Sequence, residues 1–281
     1  MLLLSWNVQW CRGMDGRVDI ERVVRTAQHL GDPDVLCFQE VASGFDQLPG
    51  SSGEDQFALI SELLPGWTCI EGLAVDRAGP TRRKRFGNLI CSRLPVRAAW
   101  RHSLPWPPDP AHPSMQRVAI ETVIAGREHT LRVITCHLEY YSSTQRAAQV
   151  ERLRELQHEA CGHDRTRRHP GKIDGPFEHQ PRPDAAVLCG DFNFLPHSAD
   201  YRQLQTPNAS GTRWHDAWPL CHGPAPHSLT NRLHDRSARK QADTRDFFFV
   251  SDALTGRVKA LSVDAETQAS DHQPVMLELA L

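Results

Sequence analysis

Short apolar runs that end in polar, chemistry-bearing residues constrain this chain more than any other feature. Ala185-Ala186-Val187-Leu188-Cys189 leads straight into Gly190-Asp191-Phe192-Asn193, and Ser270-Asp271-His272 leads into Pro274-Val275-Met276-Leu277. Apolar runs of that length, bounded by turn residues, read as buried strands. The arrangement recurs along the chain. Asn7 follows Leu2-Leu3-Leu4-Ser5-Trp6, Glu40 ends the run from Asp34 to Gln39, His137 ends Leu131 to Cys136, and Asp246 opens Phe247-Phe248-Phe249-Val250-Ser251. Acid, amide and imidazole groups at strand ends can converge at a sheet edge. There they can hold a divalent cation, orient a water and contact a phosphate.

Further strands are expected at Phe86 to Ser92, Arg117 to Ile124 and Val258 to Val263, each rich in Val, Ile, Leu or Phe. One helix is expected with Ile20, Val23, Val24, Ala27 and Leu30 on a face and Gly31 as its stop. A second runs from about Gln56 to Leu64. A third runs from about Thr144 to Ala160, with Ser142, Ser143 or Thr144 as N-cap. His102 to Gln116 (with five prolines), Cys161 to Asp184 and Pro207 to Thr244 read as surface excursions. No repeat or linker divides the chain, so residues 1–281 are expected to form one domain.

Charge and cysteine usage narrow the setting. With 32 Lys and Arg against 34 Asp and Glu, the net charge of −2 excludes a protein that holds nucleic acid by overall basicity. Any polyanion contact must be local. The first residues have no basic n-region and too short an apolar run for a secretory signal, and no stretch is apolar enough to span a bilayer. The eight cysteines form no CxxC pair, and Cys37, Cys91, Cys136 and Cys189 sit inside strand-like runs. A reduced, cytoplasmic compartment is expected.

Six pieces in order carry a resemblance: Ser5-Trp6-Asn7, Gln39-Glu40, Thr135-Cys136-His137-Leu138, Gly190-Asp191-Phe192-Asn193, Asp246-Phe247-Phe248-Phe249-Val250 and Ser270-Asp271-His272-Gln273-Pro274-Val275. The run Gly87 to Pro95 adds a middle strand and turn. Together they resemble the endonuclease/exonuclease/phosphatase superfamily of metal-dependent phosphohydrolases over nearly the whole chain. The resemblance implies an α/β fold, a four-layer sandwich of two packed, mostly antiparallel sheets flanked by helices, with the site at one edge. It implies Glu40 as principal metal ligand with Asn7 close by. Asp191 then activates the water, and Asn193 helps hold that water and the phosphate. His137 and His272, the latter paired with Asp246, contact phosphoryl oxygens. Asp271 binds metal or steadies the network.

Elementary electrostatics agrees with these roles. Glu40, Asp191, Asp246 and Asp271 in one cleft repel one another unless a cation neutralises them. Hard oxygen ligands favour Mg²⁺ or Mn²⁺. Two positions depart from the family pattern: Gln9 stands where several nucleases carry an acid, and Arg245 precedes Asp246 in place of an aliphatic residue. The decoy His158-Glu159-Ala160-Cys161-Gly162-His163 spaces its histidines five apart, which excludes a zinc-protease helix. Cys161, His163 and His169 read as solvated loop residues rather than a metal clip.

The favoured reading is a divalent-metal phosphodiesterase or nuclease. Its phosphoester partner is expected to meet the basic clusters Arg82-Arg83-Lys84-Arg85 and Arg165, Arg167, Arg168 and Lys172. Trp100, Trp106, Trp214 and Trp218 are expected to be packing residues, although Trp106 and Trp214 lie in excursions where they could stack on a base or meet an acyl chain. A phospholipid or small-molecule phosphodiesterase or phosphatase is the alternative. The rival from another class is a noncatalytic phosphate-binding module.

Overall fold

In chain order the strands and helices are β1 (Leu2–Asn7), α1 (Ile20–His29), β2 (Val35–Ser43), α2 (Gln56–Leu63), β3 (Thr68–Arg77), β4 (Lys84–Ser92), β5 (Val96–Ser103), β6 (Val118–Ala125), β7 (Thr130–His137), α3 (Ser143–Arg165), β8 (Ala186–Asp191), α4 (Ala199–Leu204), β9 (Trp214–Asp216), α5 (Ala217–His222), β10 (Asp246–Ser251), β11 (Val258–Val263) and β12 (Val275–Leu279). This computed structural model describes residues 1–126, 129–166, 175–235 and 241–281. One six-stranded sheet has the order β11-β12-β1-β2-β4-β3 and the other β5-β6-β7-β8-β10-β9. Each sheet is mixed. β1 pairs parallel to β2 and β7 parallel to β8, through crossovers that contain α1 and α3, and every other pairing is antiparallel.

Alternation along the central strands builds the layers. Leu3, Val35, Cys37, Val133, Val187, Cys189, Phe248 and Val250 fill the space between the sheets. Their neighbours Leu4, Trp6, Leu36 and Phe38 pack outward with Val23, Val24 and Ala27 of α1 and Phe57 and Ile60 of α2. On the opposite outer face Leu188, Phe247 and Phe249 meet Val150, Leu153 and Leu156 of α3. Strands buried on both faces are apolar at successive positions, which is why they read as continuous runs in the sequence. Each such side chain contributes about 1.5–3 kcal/mol on burial. The result is the expected four-layer α/β sandwich.

The helix starts follow capping chemistry. Asp19 Oδ1 accepts from Arg22 N–H at 2.8 Å to start α1, and Ser142 Oγ accepts from Gln145 N–H at 3.2 Å to start α3. α3 continues to Arg165, beyond the expected end near Ala160, and takes the first residues of the expected Cys161 excursion with it. Its last turn is exposed and has no apolar position for a pattern to mark. β3 and β5 were not anticipated either. Both are edge strands, largely half-exposed, with charged residues where a central strand has apolar ones. The excursion from Pro207 contains three-residue β9 and six-residue α5, elements too short to show a period. Trp214 packs as expected, buried in the outer core beneath α3, which removes it from any stacking role.

Gly190 shows why the end of β8 needs its glycine. Its φ is +136°, and an added Cβ would lie 1.9 Å from the Cys136 carbonyl oxygen on β7. Gly190→Ala is expected to destabilise the protein by about 3 kcal/mol or more. A urea midpoint equal to that of the wild type would contradict this close approach.

Candidate active site

Strand direction brings the polar ends together. Asn7 closes β1, and His137 and Asp191 close β7 and β8, where they are register partners. β10 runs antiparallel to β8, so its first residue, Asp246, lies opposite Asp191. β12 runs antiparallel to β1, and His272 just ahead of it reaches the same edge. Glu40 sits at an irregularity in the β2–β4 pairing between Phe38 and Val41, with φ +60°. Such bulges re-aim a side chain next to a site, and the left-handed backbone there is strain the surrounding sheet must hold.

The residues beside the reactive ones act as braces. Ser270 Oγ donates to the Asn7 carbonyl at 2.7 Å, and Trp6 Nε1 donates to the His272 carbonyl at 2.9 Å. Gln39 Nε2 crosses between the sheets to Thr135 Oγ1 at 2.9 Å. These bonds explain why Gln39 and Thr135 sit within otherwise apolar strands and why Ser270 is buried ahead of β12.

At the centre, Asn7 Nδ2 donates to both Glu40 Oε1 and Asp191 Oδ2 at 3.0 Å. Its Oδ1 accepts from the Gln9 N–H at 3.0 Å, so the amide bridges two carboxylates as a donor. Asp191 Oδ1 accepts from the Asn193 N–H at 2.9 Å, and Asn193 Nδ2 donates to the Leu138 carbonyl at 2.9 Å. His137 Nε2 lies 3.5 Å from Asp191 Oδ2 and its Nδ1 lies 3.9 Å from Glu40 Oε1. His272 Nδ1 is 2.8 Å from Asp246 Oδ2, while its Nε2 is 3.7 Å from Asp191 Oδ2. Asp271 Oδ2 accepts from Gln9 Nε2 at 2.7 Å. Glu40, His137, Asp191, Asn193, Asp271 and His272 line a cleft of about 390 Å³, with Asn7 and Asp246 buried behind them.

The electrostatics sort these groups. Burial, then repulsion from Asp271, pushes Glu40 up to about 7. Burial raises Asp191 to about 6, with His272 opposing the rise and Asp246 adding to it. Burial opposes the charge on His272, but the carboxylates of Asp246 and Asp191 outweigh it and hold the imidazole well above its ordinary value. His137 is held well below, by burial and then by the positive charges of Arg117 and His272. One imidazole is thus cationic and the other neutral near pH 7.

Two sets of side chains bring ligand atoms within 4.8 Å of one another: Glu40, His137 and Asp191, and Asp191, Asp246 and His272. The second set already contains its own cation in His272. In the first, burial and then the acidic neighbour Asp271 raise Glu40, and the carboxylates of Glu40 and Asp271 are hard oxygen donors that fit a divalent cation. The chain therefore has a cluster able to bind a metal ion.

The family model for the endonuclease/exonuclease/phosphatase family matches residues 4–272. The chain belongs to this family. Solved structures agree on the fold of this family member. An endonuclease/exonuclease/phosphatase from Bacteroides vulgatus is 18% identical with TM-score 0.70, covering 100% of this chain and 98% of that one. A mannosyl-6-phosphatase from Bacteroides thetaiotaomicron is 18% identical with TM-score 0.68, covering 100% of both chains. A 3′ phosphatase from Neisseria bound to product DNA hairpin is 21% identical with TM-score 0.62, again covering 100% of both. A comparison with curated protein sequences finds no significant match. Members of the family are hydrolases acting on phosphoesters. Among the described residues no helix is long and apolar enough to cross a membrane.

The expected basic contacts differ in this family member. Arg83 pairs with Asp76, Lys84 with Asp46, and Arg85 with Asp55 and Glu71, while Arg82 Nη1 donates to the Gly53 carbonyl at 2.7 Å. The cluster is engaged with local acids and carbonyls. Arg165 ends α3, whereas Arg167, Arg168, His169 and Lys172 lie outside the described residues. Arg245, the departure ahead of Asp246, donates from Nη1 to the Asn193 carbonyl at 3.0 Å and pairs with Asp243. Gln9, the other departure, holds Asp271 as described above.

Arg117 is a cleft residue that sequence reading passed over. It is buried, its Nε donates to Glu139 Oε2 at 3.3 Å, and its Nη1 has no hydrogen-bond partner among the described residues. A signal was available. Arg117 precedes the apolar run Val118-Ala119-Ile120, and β6, antiparallel to β7, begins at the edge where His137 ends. Tyr140, Tyr141, Trp10, Phe86 and Met115 also line the cleft, from loops and strand positions with no distinguishing pattern.

Proposed function

We propose that this protein is, as one domain of residues 1–281, a divalent-metal-dependent hydrolase of small or terminally presented phosphoesters. The observation that carries this reading is Asn7 spanning Glu40 and Asp191, with the His272–Asp246 pair on the far side of the same carboxylate. Glu40 and Asp271 would hold Mg²⁺ or Mn²⁺, which when bound supplies charge neutralisation for the phosphoryl oxygens. Asp191, held at both oxygens by Asn7 and Asn193, takes the proton of the attacking water. Cationic His272 donates toward a phosphoryl oxygen, and Asp246 positions its ring. Neutral His137 and the unpartnered Nη1 of Arg117 supply further donors to the developing charge.

Engagement of Arg83, Lys84 and Arg85 by acids, and of Arg82 by backbone carbonyls, weakens one support for a long polyanion, so polynucleotide cleavage becomes the second arm of the test. DNA, RNA, phospholipid headgroup esters, inositol phosphates and sugar phosphates are assayed with Mg²⁺, with Mn²⁺ and with chelator. Hydrolysis of a small or terminal phosphoester that chelator abolishes is the expected result. Internal cleavage of DNA or RNA in preference to small esters would return the protein to the nuclease reading. Turnover of no ester with either metal would overturn the proposal.

A further inference from the structure

Beside the polar cleft lies a second, mostly apolar hollow of about 560 Å³. The two share Phe86 and Met115 in their walls, so the hollow adjoins the polar cleft. Phe45 and Phe86 meet edge to face with centroids 6.4 Å apart. The Arg77 guanidinium and the Lys84 ammonium stand over the Phe45 ring at 5.6 and 5.5 Å. Trp106 also lines the hollow and is half exposed, although a large ring is costly to leave in water.

This wall is built rather than incidental. Trp106 Nε1 donates to Ser114 Oγ across its own loop at 2.9 Å. The loop is tied to α3, where Gln145 Nε2 donates to the Pro107 carbonyl at 2.8 Å and Gln149 Nε2 to the Pro105 carbonyl at 3.2 Å. Gln116 Nε2 closes its base by donating to the Leu104 carbonyl at 2.6 Å. A segment with five prolines, held by these side-chain bonds, presents the indole in a fixed place without ligand.

We infer that this hollow is the subsite for a planar aromatic group carried on the substrate's ester oxygen, a nucleobase or an aryl ring. The inference rests on the phosphoester reading of the adjoining cleft. Aromatic faces backed by cations, with Gln116 and Asp76 among the lining residues, suit a flat ring bearing heteroatoms. An alkyl chain gains nothing from the cations or from these polar groups.

Methyl, benzyl and n-heptyl phosphates, as monoesters and symmetric diesters, offer alcohol leaving groups of similar basicity and differ in the group that would occupy the hollow. The benzyl ester is expected to exceed the methyl ester roughly tenfold in kcat/KM, through KM, the scale of one stacked ring. Trp106→Ala should bring that ratio close to one by raising KM for the benzyl ester, and Trp106→Phe should restore part of it. Nucleoside monophosphate against ribose phosphate then separates a base from a simple aryl ring. Equal benzyl and methyl values, a heptyl preference over benzyl, or a ratio unchanged in Trp106→Ala would each overturn the inference. If no ester is turned over, the phosphohydrolase reading has failed. Calorimetric Kd values for benzyl and methyl phosphate then judge the subsite by the same ratio.

Discussion

Asp191→Asn is expected to lower kcat by roughly 10²–10⁴-fold, the range spanned by loss of a general base, and to remove the loss of stability that the wild-type carboxyl causes as pH rises toward 6. The amide keeps the size of the carboxylate and an oxygen for the Asn193 N–H, but cannot take the proton of a water. Stability follows from the position of Asp191 rather than its chemistry. Burial raises the carboxyl from 3.8 to about 6. Between those values the folded state binds more protons than the unfolded one, so stability falls as pH rises through that window. The amide removes this loss. Thermal unfolding in chelator at pH 8, alongside turnover of the best ester from the panel, reads both effects. Turnover at the wild-type level would defeat the assignment of Asp191.

Glu40→Gln is expected to remove the response to divalent cations and, with it, about 10³-fold of turnover, since metal-derived charge stabilisation contributes several kcal/mol. Burial and Asp271 lift Glu40 from 4.5 to about 7, so without metal the protein loses stability as pH rises between those values, by on the order of 3 kcal/mol. His272, raised by its carboxylate partners, likewise contributes stability that is lost as pH rises past its folded value. His137, lowered by burial, acts in the opposite sense. The difference between wild type and Glu40→Gln isolates Glu40 from both. In chelator at pH 8 the variant should melt higher than wild type. Added Mg²⁺ or Mn²⁺ should raise the wild-type melting temperature and leave that of the variant unmoved. A cation-induced rise of equal size in both would exclude Glu40 as a ligand.

The legible parts of the molecule were those whose burial leaves a local pattern. β1, β2, β7, β8 and β10 are covered on both faces, so their apolar runs announced them. Their polar last or first residues announced the site. β3 and β5 have one neighbour each and stay partly wet, so nothing in their composition separates them from loop. β9 exists only because β10 offers it an edge, with Trp214 opposite Ser251 in the pairing. The basic run Arg82 to Arg85 illustrates the converse. Four adjacent cations look available to a polyanion until the fold brings Asp46, Asp55, Glu71 and Asp76 against three of them and the Gly53 carbonyl against Arg82.

The sequence by itself determined the buried strands and, through its resemblance to the family, the layered α/β sandwich and the candidate site residues Asn7, Glu40, His137, Asp191, Asn193, Asp246, Asp271 and His272, each at a strand end or in the loop beside one. Local patterns suffice for the strands because burial acts residue by residue along them. Only the tertiary structure decided how these residues divide their work. Asn7 became a bridge between two carboxylates, and His272 and His137 acquired opposite charge states from burial and unlike neighbours. Arg117 entered the cleft, and Trp106 and Trp214, alike in the sequence, went to the surface and the core. Those outcomes depend on groups far apart in the chain, through distance and desolvation, and no local pattern encodes either.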